Sequence, residues 1–163
     1  STNGGGRSVR QMLNRARRGA ATRSSILACE GPATGENVTA VEDMSDLTAL
    51  GMQFSNLVAN AEQSGGRFRS GIFLCSTICA EVEDIRSVYR FLNSNFLTEL
   101  RRGDGIGVCA VDTSADIGAD MDSTISGLQT SFTAHIEVEK TGPRQATLTI
   151  DGLDGEETVD VSL

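Results

Sequence analysis

At 163 residues, 39% of them hydrophobic, the chain is one domain by length and long enough to bury well over half of its unfolded surface. No run approaches the ~18 consecutive apolar residues of a membrane span, and the polar, Arg-rich start lacks the apolar core of a secretory signal, so a cytoplasmic location without a membrane partner is expected. The net charge is −8, yet one lysine, Lys140, stands against thirteen arginines, a balance suited to a protein kept soluble in high salt.

The charge is unevenly placed. Residues 1–24 carry Arg7, Arg10, Arg15, Arg17, Arg18 and Arg23 and no acid. Residues 25–163 hold eight basic and twenty-two acidic side chains, a net −14. The shift marks a boundary near residue 24 between a basic segment, 1–24, and an acidic body, 25–163.

The first periodic stretch is 8–20, SVRQMLNRARRGA. It sets Val9, Met12, Leu13, Ala16 and Ala20 on one helical face and arginines on the other. A helix of about twelve residues is marginal alone, so it is expected to order only on docking. SSILAC (24–29) and NVTAV (37–41) read as short strands around a Gly/Pro loop. Residues 45–66 then predict a helix through Leu47, Leu50, Phe54, Leu57, Val58 and Ala61. Ser45 or Asp46 caps its start and Gly65-Gly66 ends it. The apolar run 70–79, within SGIFLCSTICA, predicts a buried strand.

Residues 84–105 predict a second amphipathic helix, with Ile85, Val88, Tyr89, Leu92, Phe96 and Leu100 inward. Arg101 and Arg102 suit its C-terminal dipole and Gly103 closes it. GIGVCAVDT (105–113) reads as another buried strand, and 121–132 as a short helix through Met121, Ile125, Leu128 and Phe132. TAHIEVEK, RQATLTI and ETVDVSL alternate like an antiparallel meander. The expected fold class is therefore α/β: a mixed sheet, parallel in the centre with antiparallel C-terminal strands and helices on both faces.

The four cysteines, Cys29, Cys75, Cys79 and Cys109, sit in or beside apolar runs, where free thiols act as small hydrophobes. Cys75 and Cys79 are four apart, the wrong spacing for a zinc knuckle. His135 shares a strand face with Thr133 and Glu137 and shows no partner in the sequence. Asp112, Asp116, Asp120 and Asp122 crowd one segment, but no glutamate closes them into a calcium loop, and a solvated acidic loop is expected. No metal, no cofactor and no catalytic residue is expected.

SDLTALGMQFSNLV, the strand after it, VYRFLNSNFLTELRRGDGIGVCAVDT and IEVEKTGPRQATLTIDGL together resemble the later part of the RecA-like fold. The likeness is to KaiC-like proteins of haloarchaea and spans roughly residues 38–153. It implies an ATPase ancestry, with a phosphate loop, an acidic metal ligand ending a later strand, and a carboxylate base. The residues depart from that pattern. The one loop candidate, EGPATGEN (30–37), has its glycines too close together and Glu36 near the lysine position. The metal position falls on Cys75 or Ser76, and Asp112, at the end of a strand, is the best remaining relic of a site.

The resemblance with these losses implies a pseudo-ATPase: a non-catalytic regulatory or scaffolding protein that works by protein–protein association, as a homo-oligomer or with another protein. Arg7, Val9, Arg10, Met12, Leu13, Arg17 and Arg18 are the expected contact residues, an amphipathic helix for a groove. Two alternatives stand beside it. One is a DNA-associated regulator using the arginines, although no aromatic interleaves them for stacking. The other is an ATP-binding protein completed by a partner chain.

Overall fold

The structure, a computed structural model, describes residues 5–29, 37–63, 67–153, 155 and 157–162. It is a mixed α/β protein that divides into two compact units, Ser1–Ala119 and Asp120–Leu163. The compositional boundary near residue 24 falls inside the first unit. No helix among the described residues is long and apolar enough to cross a membrane.

In the first unit, α1 spans Gly5–Ala16 and a 3₁₀ turn spans Ala21–Arg23. The helix stops short of the expected residue 20 because Gly19 adopts φ +78°, and Asn14 Oδ1 accepts from the Ala21 amide at 3.2 Å. Strands β1 (Ile26–Ala28) and β2 (Val38–Ala40) pair in parallel. Helix α2 runs Leu47–Gln63. Its cap is Asp46, whose Oδ1 accepts from the Ala49 amide at 2.9 Å; the expected stop at Gly65-Gly66 lies outside the described residues.

Strand β3 spans Arg69–Phe73 and pairs in parallel with β4, Ile106–Ala110. The expected strand over 70–79 is corrected here. After Phe73 the chain turns into helix α3, Cys75–Glu81. Cys75, Ser76, Ile78 and Cys79 are buried on it while Ala80 and Glu81 are exposed. Burial at i, i+1, i+3 and i+4 is the pattern of a helix, not of a strand.

The second long helix is one rod in three parts: α4 (Ile85–Phe91), a π-helical turn (Leu92–Phe96) and α5 (Leu97–Arg102). Asp84 caps it, accepting from the Arg86 amide at 3.0 Å. The wide turn is closed by the Leu97 amide donating to Leu92 O, five residues back. Val88, Leu92, Phe96 and Leu100 are buried as expected, whereas Ile85 and Tyr89 are only half-buried. The Phe96 ring meets Phe54 of α2 with centroids 5.2 Å apart, within the range of favourable aromatic pairs. Glu99 is also buried. Its Oε1 accepts from Ser55 Oγ at 2.8 Å, and its Oε2 lies 2.6 Å from the Arg102 guanidinium. Arg102 also reaches Glu62 at 3.6 Å, joining the end of α2 to α5.

The glycines of GDGIG serve packing. A Cβ on Gly107 would overlap Leu100 Cδ1 and lie 3.0 Å from the Phe96 ring. Gly103 has φ −96° rather than a left-handed conformation; Asp104, at φ +47°, makes that turn instead. Gly103 is needed because the Phe68 ring occupies the space a side chain would take.

Helices thus cover one face of the β3–β4 pair. On its other face Phe73 is 66%, Ile106 57% and Val108 60% exposed. The expected single mixed sheet with helices on both faces is corrected accordingly. The parallel pairs and the antiparallel strands form three separate small sheets, β1–β2, β3–β4 and β5–β6–β7.

The second unit opens with α6, Met121–Gln129, capped by Asp120 Oδ1 accepting from the Ser123 amide at 2.8 Å. Hydrogen bonds from Ser123, first its side chain and then its backbone, hold the Asp120 carboxyl below the usual range. The meander completes the unit: β5 (His135–Gly142), β6 (Gln145–Asp151) and β7 (Glu157–Ser162), antiparallel throughout. Its register sets Val138 opposite Leu148 and Leu148 opposite Val159, giving one apolar face. His135 and Glu137 fall on the other face. His135 does have a partner, since Gln129 Nε2 lies 3.0 Å from its Nδ1.

Candidate functional site

Cys75, Ser76 and Asp112, the positions the resemblance singled out, converge where β3 and β4 end. Cys75 has no exposed surface and Ser76 only 1%. The Asp112 amide donates to Ser76 Oγ at 3.1 Å, which ties the segment just past β4 to the start of α3. One oxygen of the exposed Asp112 carboxylate, Oδ1, accepts from Ser114 Oγ at 2.7 Å and from the Ser114 amide at 2.9 Å. Those two bonds hold its carboxyl below the usual range.

Cys75 does not join this polar group. Its thiol lies against those of Cys109 and Cys79. Contact with Cys109, with burial added, pushes the Cys75 thiol up. Contact with Cys75, then burial, does the same to Cys79. Raised in this way, both thiols are held toward the protonated form at neutral pH and away from thiolate reactivity. Among the described residues no group of three or more His, Cys, Asp or Glu side chains is arranged to hold a metal ion. The sequence alone gave no hint that Cys109 meets Cys75. The signal was the β3–β4 register, which sets Cys109 opposite Ile72, three residues before Cys75. Residues 30–36 of the loop candidate lie outside the described residues.

The basic segment is built differently. Helix α1 rests on the first sheet at one end, where Gly6 is buried. A Cβ there would come within 2.6 Å of Val38 Cγ1 and 3.5 Å of Ala28 Cβ. Val9, Arg10 and Leu13 are half-buried along the helix, while Met12 is 41% exposed. Arg7, Arg15, Arg17 and Arg18 are exposed and make no ion pair among the described residues. Arg17 and Arg18 lie just past the helix end, in the turn that leads to Gly19. The expected contact set is thus divided: Val9 and Leu13 partly face the chain's own body, and Met12 with the exposed arginines faces outward.

A surface depression of about 470 Å³ lies by the β5–β6 turn, lined by Pro143, Arg144, Gln145 and Ser162. It gathers one charged side chain and no acid–base pair, so it carries no recognisable chemistry.

No curated protein and no solved structure matches the chain. A family of unknown function, DUF7504, matches residues 1–138. That span takes in the arginine-bearing helix, both parallel strand pairs, α6 and the first half of β5, and the chain belongs to the DUF7504 family.

Proposed function

We propose that this chain is a non-catalytic protein of RecA-like, KaiC-like descent, adapted to high salt, that regulates or scaffolds by binding other proteins. The observation that carries the reading is Cys75. A fully buried, protonated thiol among other thiols stands where the resemblance asks for a carboxylate on a hard cation. The neighbouring hydroxyl and aspartate agree with it, since Ser76 and Asp112 are engaged with each other and with Ser114. Calorimetry with ATP and magnesium in molar potassium chloride is expected to detect no binding. A micromolar dissociation constant overturns the non-catalytic reading.

Association is supported by α1, which is anchored through Gly6 and presents Met12 near the exposed Arg15. An exposed arginine pair adds little in high salt, whereas an apolar side chain entering a groove keeps its contribution there. Capture of a partner from native extract at high salt is therefore expected to fall at least about tenfold for Met12→Asp or Leu13→Asp and to change little for Arg17→Ala. Loss on removing the arginines, with competition by added DNA and indifference to Met12→Asp, replaces this reading with the DNA-associated one.

A further inference from the structure

Parallel strands are found almost only where both faces are covered. In β3–β4 one face is covered by Leu100 and Phe96. The register places Gly71 opposite Val108 and Phe73 opposite Ala110 on the other face, with Arg69 opposite Ile106 at its head. Three large apolar side chains lie open there, Phe73, Ile106 and Val108, each more than half exposed.

The charges around this face are polarised along the strands. At the head of the strands Arg69 is exposed and has no ion pair among the described residues. The nearby Arg67 and Asp104 neutralise each other at 2.8 Å. At the far end Asp112 comes two residues after Ala110 and is exposed, and Asp116 lies beyond it. The face is therefore apolar in the middle, positive at one end and negative at the other. Such a strip is complementary to itself when a second strip is laid on it in the opposite direction.

We propose that the β3–β4 face is a self-association surface, on which a second copy of this chain stacks about a two-fold axis with strands antiparallel. Phe73, Ile106 and Val108 of the two copies then bury one another, and Arg69 of each copy faces Asp112 of its mate. A two-fold arrangement uses the same patch twice and closes without growing into a filament. The open apolar side chains supply on the order of 300 Å² per copy, less than half of the ~800 Å² of a standard stable interface. The dimer is therefore weak and reversible, in the micromolar to millimolar range. The end charges set its direction more than its strength, and the apolar centre keeps it together when salt screens them.

Sedimentation velocity on the full chain over a wide concentration range tests this. A reversible monomer–dimer equilibrium is expected, with a dissociation constant raised at least about tenfold by Val108→Asp or by Ile106→Lys. Both sites are exposed, so either substitution leaves the fold intact. At about 0.2 M salt, where screening is incomplete, Arg69→Asp is expected to weaken the dimer several-fold, and Arg69→Asp with Asp112→Arg to restore it. A chain that stays monomeric throughout, a dimer indifferent to Val108→Asp, or a charge swap that fails to restore overturns the proposal. The proposal rests on its own face, apart from α1. Met12→Asp is expected to leave the dimer unchanged, and a monomeric chain whose Met12 still captures a partner removes the stack while the associative function stands.

Discussion

Gly107→Val is expected to cost about 3 kcal/mol of stability, the upper part of the usual range for overpacking a filled site. For a chain of this size that lowers the melting temperature by roughly 6–12 °C. The reason lies in what surrounds the missing side chain. Leu100 and Phe96 occupy the space above Gly107, and both are buried, at 6% and 1% exposure. Phe96 cannot retreat because Phe54 stands behind it at 5.2 Å. Thermal melts check the value, and a double-mutant cycle checks the cause. Leu100→Ala is destabilising alone, yet it is expected to offset part of the loss when Gly107→Val is present. Purely additive losses, or a single variant that melts with the native chain, refute this account of the glycine.

Raising potassium chloride from low to molar concentration is expected to raise the melting temperature by roughly 3–6 °C. The chain carries a net −8, because the arginines of residues 1–24 fold within the first unit and offset part of the −14 of the remainder. At about 0.2 kcal/mol for each excess charge, the low end for like-charge neighbours, the repulsion totals about 1.6 kcal/mol, or roughly 3–6 °C. Added salt shortens the screening length from ~10 Å at 0.1 M to ~3 Å at 1 M and removes most of it. The described ion pairs Arg67–Asp104 and Arg102–Glu62 involve exposed side chains, so their loss in salt costs little. A melting temperature independent of salt removes the argument for a high-salt protein.

The helices were the most legible part of the sequence. Leu47 to Ala61 and Val88 to Leu100 repeat at three and four residues over several turns, a period that a strand does not have. The run after Phe73 was not legible in the same way. Leu, Cys, Ser, Thr, Ile and Cys in succession suit a buried strand or a buried helix equally, and no glycine or proline marks the change at Leu74. The change shows only in the folded chain, where Ile78-Cys79 repeats the burial of Cys75-Ser76 three residues later while Ala80-Glu81 stays exposed.

Glu99 shows a similar limit. Its spacing of three from Phe96 and seven from Leu92 places it on the inward face, but a carboxylate there is unexpected until Ser55 is seen to bond its Oε1 and Arg102 to neutralise its charge, with no hydrogen bond to Oε2 among the described residues. Local alternation identified the strands of the meander, and strand–helix alternation announced the parallel pairs. Neither determines how many strands share one ladder, because pairing joins residues far apart in the chain. Around Cys75, Ser76 and Asp112 the residue types were readable and their relations were not. The thiol contact between Cys75 and Cys109 and the bond from Asp112 to Ser76 both cross between β4 and α3.

The wide turn at Leu92–Phe96 has a consequence for how this rod can vary. An α-helix advances by 100° with each residue, and a turn closed over five residues delays the next helical segment by about that angle. Here α4 packs on α2 while α5 packs on β4, and the delay lets one rod serve both neighbours. It also seats Asn95 against Gly51, where an added Cβ would come within 3.0 Å of the amide carbon. Losing one residue from this turn would rotate Leu100 away from Gly107 and carry the buried Leu97 with it, with no residue exchanged. The block between Asp84 and Gly103 is thus constrained in length more tightly than in composition. Substitutions there are judged one at a time, whereas an insertion or deletion shifts the phase of the whole downstream helix.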